Sequence, residues 1–150
     1  MDYQKIKTLA ELKKAKYKQK SIKDELRENL IYNIQNKINV FQGIHGYEKS
    51  VIPEIERAIL SRHNINLLGL RGQAKTKLAR QLIFLLDEWI PIIKGSEINE
   101  DPLNPISYEG KKTISEKGDD TAIDWIHRSE RFFEKLATPD VTVSDLIGDI

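Results

Sequence analysis

The reading of this chain turns on Gly69-Leu70-Arg71-Gly72-Gln73-Ala74-Lys75-Thr76. Upstream lies a brief apolar run, Ile65–Leu68, flanked by Asn64 and Gly69. It is too short for a helix and reads as a buried strand. Downstream, Leu78, Leu82, Leu85, Leu86 and Trp89 fall in phase, so Lys75 to Trp89 reads as an amphipathic helix that Pro91 ends. Ile92–Ile93 then opens a second strand. A strand, a glycine-rich turn and a helix therefore meet at this stretch.

Its pattern is G-x-x-x-x-[G/A]-K-T, a phosphate-binding P-loop with Ala74 at the second glycine position. Such a loop needs small residues so that successive backbone N–H groups can turn inward around a polyphosphate. The following helix N-terminus adds its dipole. Gly69, Leu70, Arg71, Gly72, Gln73, Ala74, Lys75, Thr76 and Lys77 are the candidate nucleotide-binding residues. Lys75 is expected to neutralise the β- and γ-phosphates and the Thr76 hydroxyl to ligate Mg²⁺, so the implied cofactors are ATP and Mg²⁺. If the backbone at Ala74 takes a positive φ, alanine costs on the order of 1 kcal/mol relative to glycine.

Working outward, Thr8–Glu11 has capping-box spacing and opens a short lysine-rich helix to about Tyr17. Ser21–Asp24 opens a longer one, with Ile22, Leu26, Leu30, Ile34 and Ile38 as an apolar stripe. Gly43 and Gly46 mark a loop, and Tyr47 to Arg62 reads as a helix with Pro53 in its first turn. From Gly95 to Asp120 the chain reads as loop. Asp124 to Leu136 reads as helix then strand, and Val141–Val143 as a strand. The fold class is α/β: an incomplete doubly wound parallel sheet, preceded by N-terminal helices. The expected division is a basic helical region, 1–40, and a nucleotide-binding part, 41–150.

The 150 residues suit one domain, and 39% hydrophobic residues supply a core. Zero Cys excludes a disulfide scaffold, a thiolate nucleophile and cysteine-ligated metal sites. No apolar run approaches the roughly 20 residues that span a bilayer, so the chain is expected to be cytoplasmic with no membrane partner. The net charge of +1 is unevenly spread: residues 1–23 carry +6, 24–95 carry +2 and 96–150 carry −7. The lysine head lacks an aromatic or arginine ladder and reads as a solvated face rather than a nucleic-acid site.

Other candidates are weaker. Leu85-Leu86-Asp87-Glu88 mimics a Walker B strand, yet Asp87 falls only twelve residues after Lys75, within the same amphipathic pattern, and is assigned to the helix. His45, His63 and His127 lack metal-ligand spacing. Glu97, Glu100 and Asp101 read as an acidic solvated loop before a Mg²⁺ site. Ser129 and Ser144 show no triad-like arrangement.

The stretch from Gly43-Ile44-His45-Gly46 through Asn64–Gly69 to the P-loop resembles AAA+ ATPases of the MoxR and magnesium chelatase subunit I clade. Gly95–Pro105 and Ala137–Ile150 are similar to later segments of that clade, so the resemblance spans about Phe41 to Ile150. It implies an AAA+ P-loop fold in which Gly69, Gly72, Lys75 and Thr76 hold the nucleotide and Ile44 and His45 lie beside adenine. It also implies a homo-oligomeric ring that hydrolyses ATP to remodel a client protein or to drive metal insertion. Walker B, the sensors and the arginine finger have no counterpart, so the chain is expected to be the N-terminal part of a longer ATPase, inactive alone. The alternative expectation is a non-catalytic module whose basic helices dock an acidic partner or nucleic acid.

Overall fold

Side-chain caps decide where the first two helices begin. Thr8 has extended backbone, and its hydroxyl accepts from Glu11 N–H, opening α1, Leu9–Lys14. The Glu11 carboxylate reaches back past the cap to accept from Lys7 N–H at 2.8 Å, a bond one residue before that of a full capping box. Ser21 caps α2, Ile22–Gln35, through Asp24 N–H at 3.2 Å. The computed structural model describes residues 5–135 and 139–147. Expectations that fall on 136–138 and 148–150 lie outside the described residues.

The apolar stripe of α2 is buried only at its centre. Leu30 is 1% exposed, whereas Ile22, Ile34 and Ile38 are about half exposed. Each i+4 step overshoots a 3.6-residue turn by about 40°, so the four positions within α2 wander roughly 120° around the helix, and Ile38 falls beyond its end. That core gathers Leu30 with Val40, Phe41 and Ile44, with Ile55 and Ile59 of α3, Val51–Leu60, and with Leu78 and Leu85. Pro53 lies in the first turn of α3, where its missing N–H leaves no bond unmade.

The helix expected over 75–89 is shorter. α4 is Lys75–Gln81, a 3₁₀ turn follows over Leu82–Leu85, and Leu86 is extended. Trp89 then begins β1, Trp89–Ile93, which pairs antiparallel with β2, Ile123–His127. An aromatic and three isoleucines favour a strand here, and Pro91 pushes Ile90 out of helical geometry. Glu88 O accepts from Arg128 N and Ala122 O from Lys94 N, so the hydrogen-bonded pairs of β1 fall on even positions. Pro91 therefore faces Trp125 where no ladder N–H is needed.

A second cluster packs α1 on this sheet: Leu9, Leu12 and Ile123, with Ile6, Tyr17, Ile114 and Trp125 against them. Thr8 bridges Ala122, and the Trp125 indole donates to Ile6 O at 3.0 Å. Packing thus crosses position 40: α2 belongs to the cluster of residues 40–85 and α1 to the sheet.

The loop expected over 95–120 contains α5, Tyr108–Lys117, capped by Ser107 on Gly110 N–H and closed by Gly118 at φ 54°. The buried Glu100 carboxylate organises the approach, accepting from Ile106 N, Ser107 N and Ser107 Oγ at 2.6–2.9 Å. Val141–Val143 is not a strand. Thr142 and Asp145 exchange cap bonds that open α6, Ser144–Ile147. Among the described residues Ile65–Leu68, expected to be a strand, has no strand partner, and the one sheet there is antiparallel with two strands. The expected parallel sheet has no counterpart among these residues.

Candidate functional site

Residues 63–70 run without a turn and deliver the chain to the glycine-rich loop. Ile65 and Leu67 are half-buried against the helical core, while Asn64, Asn66 and Leu68 are exposed. That period-2 alternation is a strand's, although the main chain of Asn64 to Leu68 makes no hydrogen bond among the described residues. The apolar run therefore sets the direction of entry into the loop through Ile65 and Leu67 alone.

The loop then turns on three unusual backbone positions. Gly69 has φ 152°, Gly72 has φ 81° and Ala74 has φ 54° with ψ 16°. Ala74 thus occupies the left-handed region, where a Cβ costs about 1 kcal/mol or more. It stands at the N-cap of α4 and offers no side-chain cap, so the N–H groups of the first turn are left without that partner. Leu78 N–H closes the first helical bond on Ala74 O at 2.9 Å, and the Leu78 side chain anchors the helix in the core.

The Lys75 ammonium folds back over the loop. Its Nζ donates to Gly69 O at 2.8 Å and to Leu70 O at 2.5 Å. Thr76, Lys77 and Arg71 are exposed, and the Thr76 hydroxyl has no hydrogen-bond partner among the described residues. Leu70 is 77% exposed and contributes its carbonyl rather than its side chain.

Residues 42–47 are tied to this loop and its helix by three bonds. Lys77 Nζ donates to Gly43 O at 2.7 Å, Gln81 Nε2 to Gln42 O at 2.6 Å, and the Tyr47 hydroxyl to Gln73 O at 3.4 Å. The element holding Ile44 and His45 therefore lies against the loop. Within it the two side chains differ: Ile44 is buried in the helical core, while His45 projects into solvent 3.9 Å from Glu48. A cavity of about 310 Å³ opens beside them, lined by Phe41, Gly43, Glu48 and Ile52 among others.

Asp87 and Glu88 are not in a helix, contrary to expectation; they precede β1. Asp87 is held in structural bonds: its N–H donates to Glu25 Oε2 at 3.1 Å and its carboxylate accepts from Asn29 at 2.9 Å. Lys20 Nζ stands 3.6 Å away. Glu25 itself is 1% exposed and takes a bidentate pair from Arg131 at 2.7 and 2.9 Å.

The acidic segment behaves differently from an open loop. Glu100 is buried, and the Ser107 hydroxyl, then the Ser107 N–H, hold its carboxyl below the usual carboxylate range. Burial pushes the Asp101 carboxyl up. Among the described residues no three His, Cys, Asp or Glu side chains cluster as a metal site. The sequence also concealed a contact between His127 Nδ1 and Ser129 Oγ at 2.7 Å. Ser129 N–H points at the same ring nitrogen at 3.3 Å, so His127 serves as the cap of the short turn Arg128–Glu130. A serine two residues after a histidine was the available signal.

No known protein family, curated protein or solved structure matches this chain. No helix among the described residues is long and apolar enough to cross a membrane.

Proposed function

We propose that the chain binds ATP with Mg²⁺ at the loop 69–77, as the nucleotide-binding portion of an AAA+ ATPase. The observation that carries this reading is the left-handed turn at Ala74, which leads into an uncapped helix whose first residue is Lys75. A loop of small residues with an ammonium at its exit suits a polyphosphate: the amides supply partial positive charge and Lys75 a full one. Lys75 must exchange its two carbonyl contacts for phosphate oxygens, which form stronger charge-assisted bonds. Thr76, exposed and with no hydrogen-bond partner among the described residues, follows Lys75 directly, and its hydroxyl is the Mg²⁺ ligand in this reading.

The resemblance to the MoxR and magnesium chelatase subunit I clade supports the further reading. There, a homo-oligomeric ring uses ATP hydrolysis to remodel a client protein or drive metal insertion. In this chain Asp87 is occupied by Asn29, so nucleotide binding rather than turnover is the activity proposed for it. The test is titration of a fluorescent ATP analogue with and without Mg²⁺. Wild type should bind in the micromolar range and Lys75→Ala should lose that binding while keeping its thermal midpoint. Absence of wild-type binding at high micromolar nucleotide overturns the proposal.

A further inference from the structure

The space over Gly69 is already taken by the loop's own side chains. A Cβ built on Gly69 would lie 2.1 Å from Gln73 Oε1, 3.3 Å from Gln73 Cδ and 4.0 Å from Lys75 Nζ. The Gln73 carboxamide therefore rests against the bare Cα of Gly69, on the side of the turn that Lys75 also occupies. Lys75 Nζ is bonded there to Gly69 O and Leu70 O. The main chain of Gln73 is steadied separately, by the Tyr47 hydroxyl on its carbonyl oxygen. Its side chain makes no hydrogen bond among the described residues and is exposed. Contact alone keeps it in place.

We infer that Gln73 is an internal competitor of the phosphate chain: it fills the turn in the free protein and must leave before Lys75 can engage a ligand. This rests on the nucleotide reading of the same loop. A carboxamide is a neutral group with an acceptor oxygen and a donor amide, so it can lie beside both the Lys75 ammonium and backbone N–H groups without repulsion. Because only contact holds it, displacement is cheap and the closed form lowers affinity without abolishing it. If the open form is roughly 10–30% populated, apparent affinity falls by roughly three- to tenfold, since apparent Kd scales inversely with the competent fraction. Gly69 is what allows the arrangement. Any side chain there would expel Gln73 from its seat, and the positive φ already disfavours one.

The experiment compares wild type, Gln73→Ala and Gln73→Glu in stopped-flow binding of a fluorescent ATP analogue with Mg²⁺, each variant first checked for an unchanged thermal midpoint. Gln73→Ala should bind roughly three- to tenfold tighter, mainly through a faster association rate. Gln73→Glu, which places a carboxylate beside Lys75, should bind more weakly than wild type. If wild type binds and Gln73→Ala matches it or binds less tightly, the gate is overturned and the nucleotide site stands. If neither binds at high micromolar nucleotide, the site itself is overturned and the gate falls with it. Inorganic triphosphate as a competitor reads the loop without the base, and Gln73→Ala should lower its inhibition constant by the same factor.

Discussion

Replacing Arg131 with alanine strands a carboxylate inside the protein. Glu25 is 1% exposed and the Arg131 side chain 11%, and two charge-assisted bonds of 2.7 and 2.9 Å join them. After Arg131→Ala both guanidinium bonds are gone, and the Asp87 N–H, at 3.1 Å, still donates to the Glu25 carboxylate. Removing one partner of a buried pair costs about 3–5 kcal/mol. Arg131 is not wholly shut from water, so some hydration can reach the gap it leaves, and the lower end, about 3 kcal/mol, is the expected loss. For a chain of this length that corresponds to roughly 6–12 °C in melting temperature. Urea unfolding followed by helical circular dichroism reads the free energy directly. The companion variant replaces both partners, Glu25→Leu with Arg131→Met, and removes the stranded charge. It should recover most of the loss, leaving about 1 kcal/mol or less relative to wild type. With the singles Glu25→Leu and Arg131→Met added, the double-mutant cycle should give a coupling energy in the range expected for contacting residues. A loss below about 1 kcal/mol in Arg131→Ala, or a double variant no better than the single, would refute the reasoning.

The Glu100 carboxyl is held below the ordinary glutamate value of 4.5, first by the Ser107 hydroxyl. Its contribution to stability should be complete above 4.5 and vanish as pH falls through the lower folded value. Acid titration of the unfolding midpoint checks this, and in Ser107→Ala the acid-side slope should flatten with a loss of about 1 kcal/mol from the missing cap. A slope unchanged by Ser107→Ala refutes the assignment. Ala74→Val, which forces a β-branched side chain into the left-handed turn at φ 54°, should lower stability by about 1–2 kcal/mol, whereas Ala74→Gly should not. Equal melting curves for the two variants would deny that the turn is left-handed.

Where local chemistry decides a structure, the sequence was legible. Thr8 and Ser21 begin their helices as their hydroxyls require, and Pro53 marks the first turn of α3. The conformation at Ala74 follows from its place in a turn built for glycine. Legibility fails where distant residues arbitrate. Leu82, Leu85 and Leu86 are in helical phase, but Asp87 N–H bonds to Glu25, sixty-two residues away, and the chain leaves the helix before it. Residues 100–107 look like a solvated loop because nothing local announces that Glu100 will be buried as the hub of four donors. In the candidate site, the turn and the Lys75 position could be read from spacing alone. The contacts of 42–47 with the loop could not, because Lys77 and Gln81 meet that segment only through tertiary packing.

The bare stretch from Asn64 to Leu68 has a consequence for how the molecule behaves in company. Among the described residues its amide hydrogens meet no carbonyl, so they should exchange with solvent far faster than those of α2, leaving a fast-exchanging ribbon directly upstream of the loop. Leu68, 85% exposed, continues that unpaired edge among the described residues, the kind of extended main chain that proteins in general protect from strand pairing. Among the described residues the segment is anchored through Ile65 and Leu67 against the helical core, so trimming either side chain should loosen the entry to the glycine-rich turn.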